Sequence, residues 1–149
     1  MDRTIDFHGA KVALFNDGQL LIYRRDNDPN IPFPDMLDLP GGGRENGESG
    51  AECVARETQE EFGIRIDPDS LALVARYDNW RGEGLQALFY AGLLTNHQLE
   101  NIIFGDEGQN WQMIEIEEFL ANKEAVPHLQ TRLRDYVQKN QAVSPPSRG

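Results

Sequence analysis

Residues 42–64, GGRENGESGAECVARETQEEFGI, constrain the chain more than any other part of it. Ser49 followed by Glu52 is a capping-box pair, so a helix is expected to start at Ser49. Gly63 suits the left-handed residue that commonly closes a helix. Between them lie good helix formers and no proline. The stretch therefore reads as glycine-rich loop, helix, loop.

The helix gathers charge. At about 100° per residue, with Glu57 at zero, Glu61 falls at about +40° and Glu60 at about −60°. Ala51, Ala55, Thr58 and Phe62 cluster on another side, a narrow face able to pack closely on a sheet. Three neighbouring carboxylates repel one another. Arg56 can pair with Glu60 or Glu52, which covers part of that charge. The remainder suits a hard divalent cation, because Mg²⁺ takes carboxylate oxygens and leaves positions for substrate phosphates. A solvated acidic face is the plain alternative, and it leaves the glycine-rich lead-in unexplained. That lead-in, Leu39-Pro40-Gly41-Gly42-Gly43, lets the backbone turn sharply and approach a ligand or helix without a Cβ in the way.

The chain has 149 residues, enough for one domain with a real core. Residues 1–140 are expected to form it, and residues 141–149 a disordered Pro/Ser tail. A formal charge of −11 disfavours nucleic-acid and anionic-membrane partners. It does not oppose small anionic nucleotides, since bound metal can reverse the local field. The single cysteine, Cys53, excludes an intrachain disulfide and fits a packing role in a reducing compartment. The first residues carry Asp2, Arg3 and Asp6 with no apolar core segment, and no apolar run approaches membrane-spanning length. A cytoplasmic location is the expectation.

Apolar runs at 11–15 and 19–23 flank Asn16-Asp17-Gly18, a strong hairpin signal. Residues 26–38, with Pro29, Pro32 and Pro34, should form a loop walling a cleft. Strands are expected at 71–77 and 85–94 around a polar turn at 78–84, with a short strand at 112–116. A short helix should follow at 117–122, and a longer one at 127–139. Leu129, Leu133, Tyr136 and Val137 of that second helix share one face.

Gly42, Glu48 and the run Arg56-Glu57-Thr58-x-Glu60-Glu61-x-Gly63-Ile64 together resemble the Nudix box. That box is the signature of hydrolases acting on nucleoside diphosphates linked to a further group. Seven positions are single-residue requirements; at roughly one chance in fifteen each, coincidence is on the order of one in 10⁸. Matching features extend over residues 11–120. Thr58 stands where relatives usually carry a large aliphatic residue, and Leu37 where many carry Trp.

The resemblance implies an α/β fold: an α/β/α sandwich with a mixed, partly curved sheet and a loop-helix-loop catalytic motif. It implies metal binding by Glu57, Glu60 and Glu61, with Arg56 and Glu48 orienting them. Gly105-Asp106-Glu107-Gly108-Gln109 is similar to a segment of MutT-like relatives in which a loop glutamate reaches the metal. Glu107 takes that place, with Asp106 adjacent to it. Arg24-Arg25 looks like an Arg pair of the same relatives, which makes Arg25, with Gly41 and Gly42, the expected phosphate contact. The implied cofactor is Mg²⁺, with Mn²⁺ as a substitute, and the implied partner a small-molecule nucleotide. Homodimers are common among relatives.

The best substrate reading is a nucleoside triphosphate or modified nucleotide, cut to a monophosphate and pyrophosphate. Residues 69–94 hold no proline, which weakens an ADP-ribose preference. Nucleotide sugars, dinucleoside polyphosphates and a non-catalytic nucleotide-sensing module are the alternatives. Tyr23, Phe33, Tyr77 and Trp80 are candidates for stacking a base.

Overall fold

The computed structural model describes residue 3 and residues 5–78 and 85–143. Strands β1 (Phe7–Asn16) and β2 (Gln19–Arg24) form the expected hairpin. Asp17 and Gly18 both take positive φ, 51° and 79°, as a two-residue hairpin turn matched to strand twist requires. The two strands pair only beside the turn, at Phe15↔Leu20 and Asn16↔Gln19. Beyond that point they part. β1 then pairs with β4 (Gly41–Gly43), while β2 pairs with β3 (Leu37–Asp38) and with β7 (Asn110–Glu115). The gap opened between β1 and β2 is where the cleft lies.

On its other side β1 runs parallel to β6 (Gln86–Leu93), which pairs antiparallel with the edge strand β5 (Ala72–Asp78). Register shifts interrupt β1/β6 near Phe7 and β5/β6 near Leu73, and such irregularities bend a sheet. The sheet is thus mixed and curved, as expected.

Helix α1 (Gly50–Phe62) begins and ends where the sequence indicates. Ser49 Oγ accepts from the Glu52 amide at 3.1 Å, and Glu52 Oε1 accepts from the Ser49 amide at 2.9 Å. Gly63, at φ 68°, closes the helix by donating its N–H to Gln59 O. Ala51, Cys53, Val54, Thr58 and Phe62 are buried against one face of the sheet, with Ala55 half-buried. Thr58 is tolerated there because its hydroxyl donates to Val54 O at 2.6 Å.

The opposite face is covered by α3 (Ile116–Ala121) and α4 (Pro127–Val143). Phe119, Leu129 and Leu133 pack there with Ala13, Leu20, Ile22 and Phe89, while Tyr136 and Val137 are half-buried. Alternation along β2 sends Leu21 and Tyr23 toward α1 and Leu20 and Ile22 toward α4.

Four elements were not expected: the short strands β3 and β4, a 3-10 turn at Pro68–Ser70, and helix α2 (Asn96–Glu100), capped by Thr95. The glycine triplet is a strand, not a sharp turn. Helix α4 runs on to Val143, into the stretch assigned to the tail. Residues 144–149, and most of the expected turn at 78–84 with Trp80, lie outside the described residues.

Candidate functional site

A cavity of about 340 Å³ occupies the gap between β1 and β2. Its acidic side is formed by Glu57 and Glu61 of α1 and by Glu107, on the loop between α2 and β7. The triplet Gly41–Gly43 runs along the cavity wall. A Cβ on Gly42 would fall 2.5 Å from Glu57 Oε2, so the absence of a side chain is what admits the glutamate. Gly41, at φ 132°, approaches β1 so closely that a Cβ would collide with Ala10 O.

Glu61 is 6% exposed, and its Oε1 accepts from the Gly41 amide at 3.2 Å. Among the described residues it has no ion-pair partner. Lys11 is near enough to favour its charge, yet spends its hydrogen bonds on Asp38, Leu39 O and Gly41 O. Burial therefore pushes the Glu61 carboxyl up to about 8. Burial also raises Glu57, against the opposing pull of Arg56.

Arg56 is the hub of the outer helix face. Its Nε donates to Glu48 Oε2 at 2.7 Å and its Nη2 to Gly43 O at 2.9 Å, while its Nη1 meets Glu57 at 3.3 Å and Glu60 at 3.2 Å. Glu48 is thus the main partner of Arg56, which fits the orienting place expected for both. Glu60 differs from its neighbours: its side chain is 59% exposed and it does not line the cavity.

The Glu107 loop is clamped to the end of α1. Ile103 N–H donates to Phe62 O and Gly105 N–H to Glu61 O, each at 2.9 Å, and Gln109 N–H donates to Arg24 O at 2.8 Å. Glu107 thereby lines the cavity, whereas the adjacent Asp106 does not.

Strand alternation separates the Arg pair. Arg24 turns outward to Glu124 and Asp35 O, whereas Arg25 lines the cavity and donates to Asp38 Oδ2 at 2.7 Å. Asp38, 2% exposed, also accepts from Lys11 at 3.1 Å and Tyr23 Oη at 3.0 Å. Burial pushes its carboxyl up, but Lys11 and Arg25 outweigh burial and hold it below its ordinary value. Sequence reasoning missed this Lys11–Asp38 network. Its trace was an acid between Leu37 and Leu39 and a cation opening an apolar run. His128 and Arg132 of α4, also at the cavity, were missed because their helix read as core packing.

Of the aromatic candidates, Phe33 and Tyr23 line the cavity and Tyr77 does not. The Phe33 and His128 rings lie 5.3 Å apart at 56°. Phe33 holds a positive φ of 51°, rare for a bulky residue.

The donor set fits a hard cation. It consists of carboxylate oxygens, and Glu61 is a buried carboxylate lacking a counter-charge. Among the described residues no three such side chains already converge on an ion-sized point. Arg56 engages Glu57 and Glu60 instead. Cys53, buried against the carbonyls of Gly42 and Gly43 and raised to about 12 by burial, is a packing group. Among the described residues no helix is long and apolar enough to cross a membrane.

A family model described as the NUDIX domain matches residues 8–136. Among solved structures, a MutT protein from Methanosarcina mazei is 20% identical with a TM-score of 0.73, covering 93% of this chain and 98% of that one. A structure described as MutT from Aliivibrio salmonicida and Vibrio cholerae is 22% identical, with a TM-score of 0.69, covering 89% and 97%. An Ap4A hydrolase from C. elegans is 17% identical, with a TM-score of 0.63, covering 90% and 98%. No curated protein matches the chain. At these identities the solved structures speak for the fold, and the domain model for the family.

Proposed function

The chain belongs to the Nudix family, and on that premise we propose that it is a Mg²⁺-dependent enzyme cutting nucleoside triphosphates or modified nucleotides to a monophosphate and pyrophosphate. Members of the family are generally pyrophosphohydrolases of nucleoside diphosphate derivatives and use a divalent metal. The observation that carries the reading is the gathering of Glu57, Glu61 and Glu107 on one cavity beside the glycine strand.

In this reading Glu57, Glu61 and Glu107 hold Mg²⁺, with Mn²⁺ as a substitute. The ion would supply charge to polarise phosphoryl oxygens and to acidify an attacking water. Glu60 would join only by leaving Arg56, which makes it the outermost of the proposed ligands. Arg56, fixed by Glu48, positions the glutamates. The backbone of Gly41 and Gly42 lets the diphosphate lie close to the helix, and Arg25 faces it as a forked donor held by Asp38. Glu57 or Glu107 accepts the proton of the water. Phe33 offers a flat apolar wall to the nucleoside. Supporting a small-molecule substrate is the cavity volume, about 340 Å³, within the usual range for ligand pockets. A cytoplasmic setting suits the lone, buried thiol.

The test is release of pyrophosphate and phosphate from a nucleotide panel with and without Mg²⁺. Pyrophosphate from triphosphates only when metal is present is the expected result. Metal-dependent binding with no turnover on any compound would instead make the chain a nucleotide sensor.

A further inference from the structure

Arg132 is the cation of this cavity that has no ion-pair partner among the described residues. It is 5% exposed, lies on α4 and lines the cavity. The other cavity cations, Lys11 and Arg25, both pair with Asp38 and share its single negative charge. Arg132 has no carboxylate within ion-pair range among the described residues. Its Nη2 donates one long hydrogen bond, 3.4 Å, to Asp78 O, and its guanidinium lies 4.8 Å over the Tyr77 ring. Tyr77 is itself held by donating its hydroxyl to Asp135 at 3.0 Å. The guanidinium is therefore backed and oriented, with most of its N–H donors uncommitted among the described residues.

A buried charge without a counter-charge is costly, and an Arg fork pairs best with an oxyanion. Glu57 and Glu61 reach the cavity from α1, whereas Arg132 reaches it from α4 on the opposite layer. An anion at Arg132 is thus a different group from a diphosphate facing Glu57 and Glu61. We propose that Arg132 binds a second oxyanion of the substrate, a phosphate or carboxylate carried on the part that is not cleaved. The substrate class narrows accordingly, to nucleotide derivatives with an anionic group beyond the reacting diphosphate. The inference rests on the cavity being the substrate site proposed above.

Inorganic phosphate and, separately, acetate are titrated into the metal-free protein by calorimetry, with chloride at equal ionic strength as the control. The wild type is expected to take up at least one of the two, with affinity at least tenfold weaker in Arg132→Gln and partly restored in Arg132→Lys. Uptake of phosphate alone identifies a phosphoryl group; uptake of acetate as well admits a carboxylate. Thermal unfolding of each variant reports whether it folds. If Arg132→Gln does not, the Arg132 Nε–H resonance of the labelled wild type decides, since it must move as phosphate or acetate is added. No uptake by the wild type, equal affinities in folded variants, or an unmoved resonance would overturn the proposal. Failure of the nucleotide panel would leave this titration unchanged, so the two readings fail separately.

Discussion

The Gly41 amide donates to Glu61 Oε1 at 3.2 Å, tying the glycine strand to the helix that carries the carboxylates. This contact joins the bond from Arg56 to Gly43 O in holding the glycine strand against the helix. Among the described residues it is also the sole hydrogen bond of a carboxylate that is almost fully buried and has no ion-pair partner.

Glu61→Gln should therefore separate activity from stability. It removes an acid that burial holds protonated up to about pH 8, which costs stability at neutral pH, so the metal-free variant should be more stable by about 1–3 kcal/mol. Turnover should fall by orders of magnitude. Denaturant unfolding and steady-state kinetics on the same preparation check both; loss of stability together with normal turnover would contradict the placement of Glu61.

Gly42→Ala and Gly41→Ala should fail differently. The Gly42 Cβ would meet the flexible end of Glu57, so the fold should survive while activity drops by about tenfold to a hundredfold. The Gly41 Cβ would meet the Ala10 backbone at a φ of 132°, costing about 1–3 kcal/mol from the backbone conformation before the clash is counted. Circular dichroism melting distinguishes the two.

Arg56→Lys keeps the charge and loses the fork. A lysine cannot hold Glu48, Gly43 O, Glu57 and Glu60 together as Arg56 does. Activity should fall by about 10–100-fold, with metal affinity falling in parallel. A variant with full activity would show that the helix acids need no positioning.

His128 and Asp38 should each lose a stabilising contribution in acid, in separate windows. His128 is driven down to about 4, first by burial and then by Arg132, from an ordinary value of about 6.5. Between those values the unfolded chain binds a proton that the folded chain refuses, so the His128 contribution falls as pH drops from about 6.5 toward 4, while Glu61, protonated in the fold below about 8, acts in the opposite direction. Asp38 is held below its ordinary value in the fold, so its contribution is complete above that value and is lost as pH falls through the folded one. His128→Gln should flatten the first window and leave the second. Asp38→Asn should cost about 3 kcal/mol at neutral pH by stranding Lys11 and Arg25. Denaturant midpoints measured against pH give both.

The helix, its caps and the convergence of Glu57 with Glu61 were legible because they depend on local rules: capping chemistry, a left-handed glycine and a fixed angular step. The hairpin at Asp17-Gly18 was legible for the same reason. Lys11, Asp38 and Arg132 were not, because each owes its role to partners far along the chain. Lys11 meets Asp38 only because β1 and β2 part after their turn. Glu60 shows the limit of angular reasoning: its position beside Glu57 is right on the helix wheel, yet Arg56 and solvent claim its carboxylate. The glycine triplet was recognised as a close-approach segment, but its strand pairing with β1 required knowing where β1 lay.

The most direct measurement is calorimetric titration of Mg²⁺ into the protein with a non-hydrolysable nucleoside triphosphate analogue present. Saturable uptake in the wild type, lost in the Glu57→Gln, Glu61→Gln double variant, is the predicted result. No uptake by the wild type, or the same uptake in both proteins, would contradict the assignment of this cavity to metal-assisted hydrolysis.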